Sequence, residues 1–354
     1  MALQLVDKGN CSICKSSVIV YVYQSTLFTS VPLQAVVDAH NIGRSVGERS
    51  GDLLYAYLNH ASAVGIYYWA GANLLTTTKE IQDVQQRGIF NAWTKNLFVN
   101  LQEQCNAIQH GGDEDSLESI LELVSTSIDS LQQMNRVVYA IQRLFLFRRV
   151  DIITLDVTST FSQDMKNGKH ILRPVLLVGM FLSGLIAFQC ARRATDKESQ
   201  EEWYKRGVLS LKTLLSFTDH SSWNWENKAL LLSAEKLYTD GNFDSAASIY
   251  DKAICSANEH RFVHEEAIAS ELAGDFYYER NFQEKSMSFF KHSLKCYLKW
   301  GAIGVAKRLQ NDLEVKFGLN EVQNMPNNNL LEAIYSFKEQ SLSRKRCESF
   351  GGIS

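Results

Sequence analysis

Cys11-x-x-Cys14 places two thiols at a spacing that zinc sites and dithiol redox centres both use. Zinc needs four ligands, and neither a second cysteine pair nor a nearby histidine completes the set. Thioredoxin-like chemistry needs a βαβ surround, which the sequence does not offer. His264-Glu265 opens like the H-E-x-x-H of zinc proteases, but Ile268 stands where the second histidine must be. That leaves Glu265 and Glu266 to line a repeat face. Gly43-Arg44-Ser45-Val46-Gly47 matches G-x-S-x-G. A nucleophile elbow must follow a buried strand, and here a helical pattern precedes the string. Gly168-Lys169 has neither the upstream glycine nor the following hydroxyl of a phosphate-binding loop, and no H-R-D or D-F-G string occurs. His220, His260, His264 and His292 show no pairing with a nucleophile or metal set, so structural roles are their default. These residues predict no enzyme centre, no cofactor and no metal.

What remains is recognition. Glu235 and Tyr238, then Glu271, Asp275, Tyr278 and Glu279, fall on outward positions of two successive candidate helices, next to Leu231. A solenoid that grips a C-terminal carboxylate needs Lys, Arg and Asn at such positions, because the ligand is anionic. Acids and tyrosines suit the opposite ligand: a basic or Arg-bearing segment of a protein or peptide, with Tyr238 and Tyr278 stacking on it. The alternative is that these are ordinary solvated glutamates and seam tyrosines. Trp223 and Trp225 are an exposed hot spot or, by default, a plug between helical units.

The elements that must position these residues show a repeat. Over 228–300 a helix-turn-helix unit occurs twice at a forty-residue offset: Ala234 matches Gly274, Leu237 Tyr277, Ala246 Ser286, Tyr250 Phe290 and Ala253 Ser293. Small residues let paired helices approach, and bulky ones fill the seam, as in tetratricopeptide-type repeats. Stacked units of this kind bind proteins on a concave face. Three prolines in 354 residues permit long helices elsewhere too. Periodicity predicts helices over 33–49, 53–75, 76–86, 90–108, 117–128, 131–149, 172–193, 198–217, 302–317 and 330–346. The β-rich stretch 16–28 reads as a first helix for want of a partner strand, and 151–168 is ambiguous. Gly51-Asp52, Gly112-Asp113, Gly241-Asn242 and Asn281 punctuate the turns. The fold expected is all-α, an α-solenoid. Its parts are a flexible 1–15, a degenerate helical-repeat region 16–220, two clear repeats with a closing helix over 221–318, and a polar loop, amphipathic helix and disordered tail over 319–354.

Composition sets further bounds. The formal net charge of −3 gives no electrostatic case for nucleic acid. Local basic clusters at Arg143, Arg148 and Arg149 and at Arg344, Lys345 and Arg346 read as solvated faces or ends. Seven irregularly spaced cysteines fit free thiols in a reducing compartment. Residues 175–191, flanked by Arg173 and Arg192-Arg193, are just long enough to span a membrane, but a helix buried on all sides has the same composition.

Residues 228–282 and 289–313 resemble the tetratricopeptide-like region that follows the AAA-type ATPase module in large signalling kinases. The resemblance rests on Ala234-Glu235, Tyr250 to Ile254, Glu265-Glu266-Ala267, Glu271-Leu272-Ala273, Phe276-Tyr277, and Tyr297 with Trp300-Gly301-Ala302. It is strong over 228–313, and weak but collinear over 25–220. It implies a signalling relay and a soluble, buried helix at 175–191. The expectation is therefore a non-enzymatic, cytoplasmic interaction scaffold, or the helical middle of a longer protein of that kind. The other reading is a membrane-associated protein anchored through 175–191. Val18 to Val22 form a contiguous, uncapped apolar run, so the edge at 16–28 is expected to be poorly covered, as in a truncated array.

Overall fold

The computed structural model describes residues 12–25, 30–86, 92–111, 131–150, 153 and 174–318, and every element assigned among them is an α-helix. These are α1 (Ser12–Ser25), α2 (Leu33–Ser50), α3 (Leu53–Tyr67), α4 (Leu74–Gln86), α5 (Ala92–His110), α6 (Leu131–Leu146), α7 (Pro174–Arg193), α8 (Lys197–Thr218), α9 (Ser222–Thr239), α10 (Phe243–Glu259), α11 (Val263–Glu279), α12 (Gln283–Trp300) and α13 (Ile303–Phe317). Cys11, the Gly112-Asp113 turn, the helix expected over 117–128, Gly168-Lys169 and everything after Gly318 lie outside the described residues. So does the ambiguous 151–168 stretch, Ile153 apart.

The chain divides into two compact units, at Val305 and Ala306. In the first, consecutive helices pack mainly on one another. The most extensive pairs are α11 with α12, α7 with α8, α2 with α3 and α9 with α10. This is an all-α array of repeated helix pairs. Of the second unit, the described residues cover most of α13, where Arg308 pairs with Asp312 one turn on at 2.9 Å.

A single turn geometry joins the repeats. Gly241, Arg261, Asn281 and Gly301 all have positive φ, and they stand twenty residues apart. Each closes a helix with the same two backbone bonds. Asn242, Phe262, Phe282 and Ala302 donate to Leu237, Ala257, Tyr277 and Tyr297, and each left-handed residue donates to the carbonyl three positions back. These are Schellman caps, which satisfy the orphan carbonyls of a helix end. Asn242 then caps the next helix by accepting from Ser245 N. Gly51 and Asp52 do the same earlier, with Asp52 accepting from Tyr55 N. Gly71 forms another such cap at φ 79°, which corrects the expected long helix over 53–75. The left-handed turn ends α3 at Tyr67, and Thr76 to Thr78 lie inside α4 rather than at its start.

The small-residue code closes the pairs. Ala234, Ala246, Ala253, Ser286 and Ser293 are fully buried, as are Tyr250 and Phe290. Ser286 Oγ donates to Gly274 O and Ser293 Oγ to Ala267 O, both at 2.8 Å, so the α12 serines satisfy their hydroxyls on the α11 backbone. A Cβ at Gly274 would stand 2.7 Å from the Phe290 ring. The G-x-S-x-G string has a packing role as well. It lies within α2, where a Cβ at Gly43 would meet the Asn59 amide at 2.4 Å, and Ser45 is exposed. Asn59 then ties α1 to α3 by donating to Ser16 O at 2.9 Å. Within α1 itself, Ser16, Ile19 and Val20 are buried while Tyr21 is 61% exposed, so one face of the expected edge is covered and the other is open.

Helix α7 is long and apolar enough to cross a membrane, with mean hydropathy 1.8 over Val175–Arg193, but 89% of that window is buried inside the protein. It packs against α6, α8 and α9, the surroundings of a core helix. Distant parts of the first unit are also clasped together. Asn224 Oδ1 accepts from Leu33 N at 3.0 Å and so caps α2, where Pro32 offers no side-chain cap. Asn224 Nδ2 donates to Val31 O, Trp223 Nε1 to Gln34 Oε1 and Asn73 Nδ2 to Lys299 O. Trp225 is fully buried, as a plug would be.

Two glycines give opposite predictions. Gly274→Ala forces its methyl group against fully buried Phe290 and is expected to destabilise by about 1–3 kcal/mol. Gly65→Ala meets nothing within 4 Å and is expected to stabilise α3 by up to about 1 kcal/mol. Urea unfolding of both variants beside the parent protein checks the pair, and equal effects would discredit the close-approach account.

Candidate functional site

The acids of α9 and α11 do not form an open surface. Every residue from Val263 to Gly274 is buried, although α11 carries Glu265, Glu266 and Glu271 within that stretch. Burying a carboxylate is costly unless it is paired and hydrogen-bonded. Each of the three has a partner from another element. Lys228 of α9 donates to Glu265 Oε2 at 2.7 Å, and Asn227 also donates to that oxygen. His292 of α12 lies 2.8 Å from Glu266 Oε1, and Asn258 of α10 donates to the same oxygen at 3.0 Å. Arg148, from the turn after α6, donates to Glu271 at 2.6 Å and to Asp275 at 2.5 Å.

Glu235 and Glu271 were expected on an outward face and are 1% and 4% exposed. The reason is that two arginines of the same chain are bound there. Arg192, at the end of α7, donates to Glu235 Oε2 at 2.7 Å and to Thr239 Oγ1 at 3.0 Å. Its guanidinium lies 4.3 Å from the Tyr238 ring centroid. The other carboxylate oxygen of Glu235 accepts from Tyr250 OH at 2.5 Å. Glu271 repeats this chemistry, with Arg148 on one oxygen and Tyr297 OH on the other at 2.8 Å. Each centre is thus one carboxylate held between a guanidinium and a tyrosine hydroxyl. Asp275 and Tyr278 are half-buried and Glu279 is exposed, with Tyr238 OH donating to Glu279. Of the expected set, the structure joins Glu235 to Tyr238 through Arg192, Glu271 to Asp275 through Arg148, and Tyr238 to Glu279 directly.

The electrostatics follow from this burial. At Arg148 desolvation works against the charge, but Asp275 and Glu271 outweigh it and hold the guanidinium well above its ordinary value. Arg192 is raised in the same way, chiefly by Glu235. Burial pulls the Lys228 ammonium down despite Glu265. His264, buried beside Lys228 and Glu265, is lowered to about 4, mainly by desolvation. Burial raises Glu266, but hydrogen bonds from His292 and Asn258 win and hold it below its usual value.

Both arginines were visible in the sequence but were read there only as local charge. Arg148 stood in a basic cluster and Arg192 at the flank of an apolar run. Their acidic partners lie 123 and 43 residues further on, and nothing local marks the pairing. Arg148, at φ 60°, closes α6 with the same left-handed cap as the later turns, Arg149 N donating to Leu144 O and Arg148 N to Phe145 O. His292, unpaired with any metal set in the sequence, has both Cys296 Sγ, at 3.6 Å, and Glu266 Oε1, at 2.8 Å, beside its Nε2. No protein-family model matches this chain, and no curated protein matches it.

Arg148→Met leaves Glu271 and Asp275 without their cation and is expected to cost about 3–5 kcal/mol, read from chemical denaturation. A loss under about 1 kcal/mol would place the pair with weak surface bridges. His264 binds a proton less readily folded than unfolded, so stability is lost as pH falls from about 6.5, the unfolded value, toward about 4. His40, also lowered by burial, adds in the same direction. The urea midpoint should drop between pH 7 and pH 5, and by less in His264→Gln. An unchanged pH slope in that variant would remove His264 from the account.

Proposed function

We propose that this chain is a non-enzymatic helical-repeat scaffold that binds other proteins, with cytoplasmic signal transduction as its setting. The observation that carries the reading is that the acid- and tyrosine-bearing positions of α9 and α11 already bind guanidinium groups, at Arg192 and Arg148. Paired carboxylates, tyrosine hydroxyls and an aromatic face are the groups an Arg-bearing protein segment would use. Such a segment takes the rim at Glu279, Tyr278 and Tyr238, where side chains remain accessible, and leaves the two internal arginines in place. The tetratricopeptide-type assignment is supported by the forty-residue unit, its small-large pairing and its left-handed turns. The signalling setting is supported by the resemblance of residues 228–313 to the helical region of ATPase-containing signalling kinases.

A fluorescent oligoarginine peptide and its citrulline counterpart test this reading by anisotropy. The arginine peptide is expected to bind and the neutral one not. Glu279→Lys, on an exposed position, should weaken binding about two- to fivefold, the size of a surface ion pair. Equal affinity of parent and variant would sink the rim as the binding surface. Measurable ATP turnover by the pure chain would overturn the non-enzymatic reading.

A further inference from the structure

Outside the arginine centres, one cluster brings together the three side-chain types that bind transition metals. His292 and Cys296 stand one turn apart on α12, and both meet Glu266 of α11. His292 Nε2 is 2.8 Å from Glu266 Oε1 and 3.6 Å from Cys296 Sγ, and all three ligand atoms lie within 4.8 Å of one another. In a tetrahedral zinc site with ordinary bond lengths, a nitrogen and a sulfur ligand sit about 3.5 Å apart, and a nitrogen and an oxygen about 3.4 Å. The nitrogen–sulfur spacing is therefore already met. The nitrogen–oxygen spacing needs the hydrogen bond to open by about 0.6 Å, which a side-chain adjustment supplies.

From this geometry we infer that Glu266, His292 and Cys296 form a binding site for a zinc-class divalent ion.

Three further observations support it. The donor set of imidazole, thiolate and carboxylate selects zinc, cobalt or nickel over magnesium and calcium, which take oxygen. Glu266 and Cys296 are 3% and 4% exposed, whereas the His292 side chain is 42% exposed. The Glu266 carboxylate and a Cys296 thiolate are two buried anionic ligands, which offset the charge of a divalent ion. Asn258 Nδ2 donates to Glu266 Oε1 at 3.0 Å and orients the carboxylate from outside, as outer-shell partners of metal ligands do. On binding, the Cys296 thiol proton leaves to solvent, the His292 ring proton moves from Nε2 to Nδ1 by exchange with water, and sulfur–metal and nitrogen–metal bonds replace bonds from the ion to its waters. Three protein ligands leave a fourth position on the solvent side, beside His292, for water or for a donor from another molecule.

Cobalt(II) titration of the metal-stripped full chain tests the site, because thiolate ligation gives a near-ultraviolet charge-transfer band. One equivalent should produce the band, and zinc should abolish it. The band should persist in a Cys11→Ser, Cys14→Ser variant, be lost in Cys296→Ser and in His292→Ala, and need about ten- to a hundredfold more metal in Asn258→Ala. Circular dichroism and thermal unfolding confirm that each variant is folded. His292 is only half-buried, so His292→Ala keeps the test decisive if the Cys296 variant unfolds. No band in the parent protein, or a band that survives in folded Cys296→Ser or His292→Ala, overturns the assignment.

Discussion

The burial of an acidic helix governs this structure. Helix α11 places Glu265, Glu266 and Glu271 where water cannot solvate them, so each must be met by a donor from elsewhere. The donors come from α9, α10, α12 and the turn after α6. Apolar burial drives these elements together but is non-directional. The ionic contacts are directional, and losing one partner costs far more than the intact pair contributes. They tie four separate parts of the chain to positions along one helix. Arg192 and Glu235 tie α7 to α9 by the same means.

Around that constraint, backbone chemistry does the spacing. Left-handed residues at 241, 261, 281 and 301 end four successive helices with one cap geometry. The backbone therefore leaves each of these helices in the same way. Small residues on the facing surfaces then bring α9 to α10 and α11 to α12 close enough for Tyr250 and Phe290 to be enclosed completely. Their hydroxyl-bearing members, Ser286 and Ser293, remain tolerable there because the neighbouring backbone accepts their hydrogen bonds.

The repeat pairs were legible in the sequence because their determinants are local. Residue size at fixed intervals, and glycine or asparagine at a turn, act over a few positions. Even so, Arg261 occupies a left-handed turn without being a turn-former by type, and Gly71 ended a helix that periodicity ran through. The acids and tyrosines were legible as residue types, but their surroundings were not. Glu235 and Tyr238 meet Arg192, and Glu271 and Asp275 meet Arg148, inside the chain, and only tertiary packing brings those arginines there. The His292 and Cys296 pair was present at helical spacing throughout. Its third member, Glu266, belongs to a different helix, and a search for sequential motifs passes over such a set.

The clasp between Asn224 and the start of α2 has a consequence for how the protein is made. Leu33 and its partner are 191 residues apart. At ordinary translation rates, about ten to forty seconds separate their emergence from the ribosome. Through that interval α2 lacks its Asn224 cap, and Gln34 and Tyr68 lack the Trp223 and Trp300 they meet in the folded chain. The chain cannot complete its fold in the order in which it is synthesised. Holding chaperones, or slow codons after the first helices, would therefore affect its yield more than its final stability.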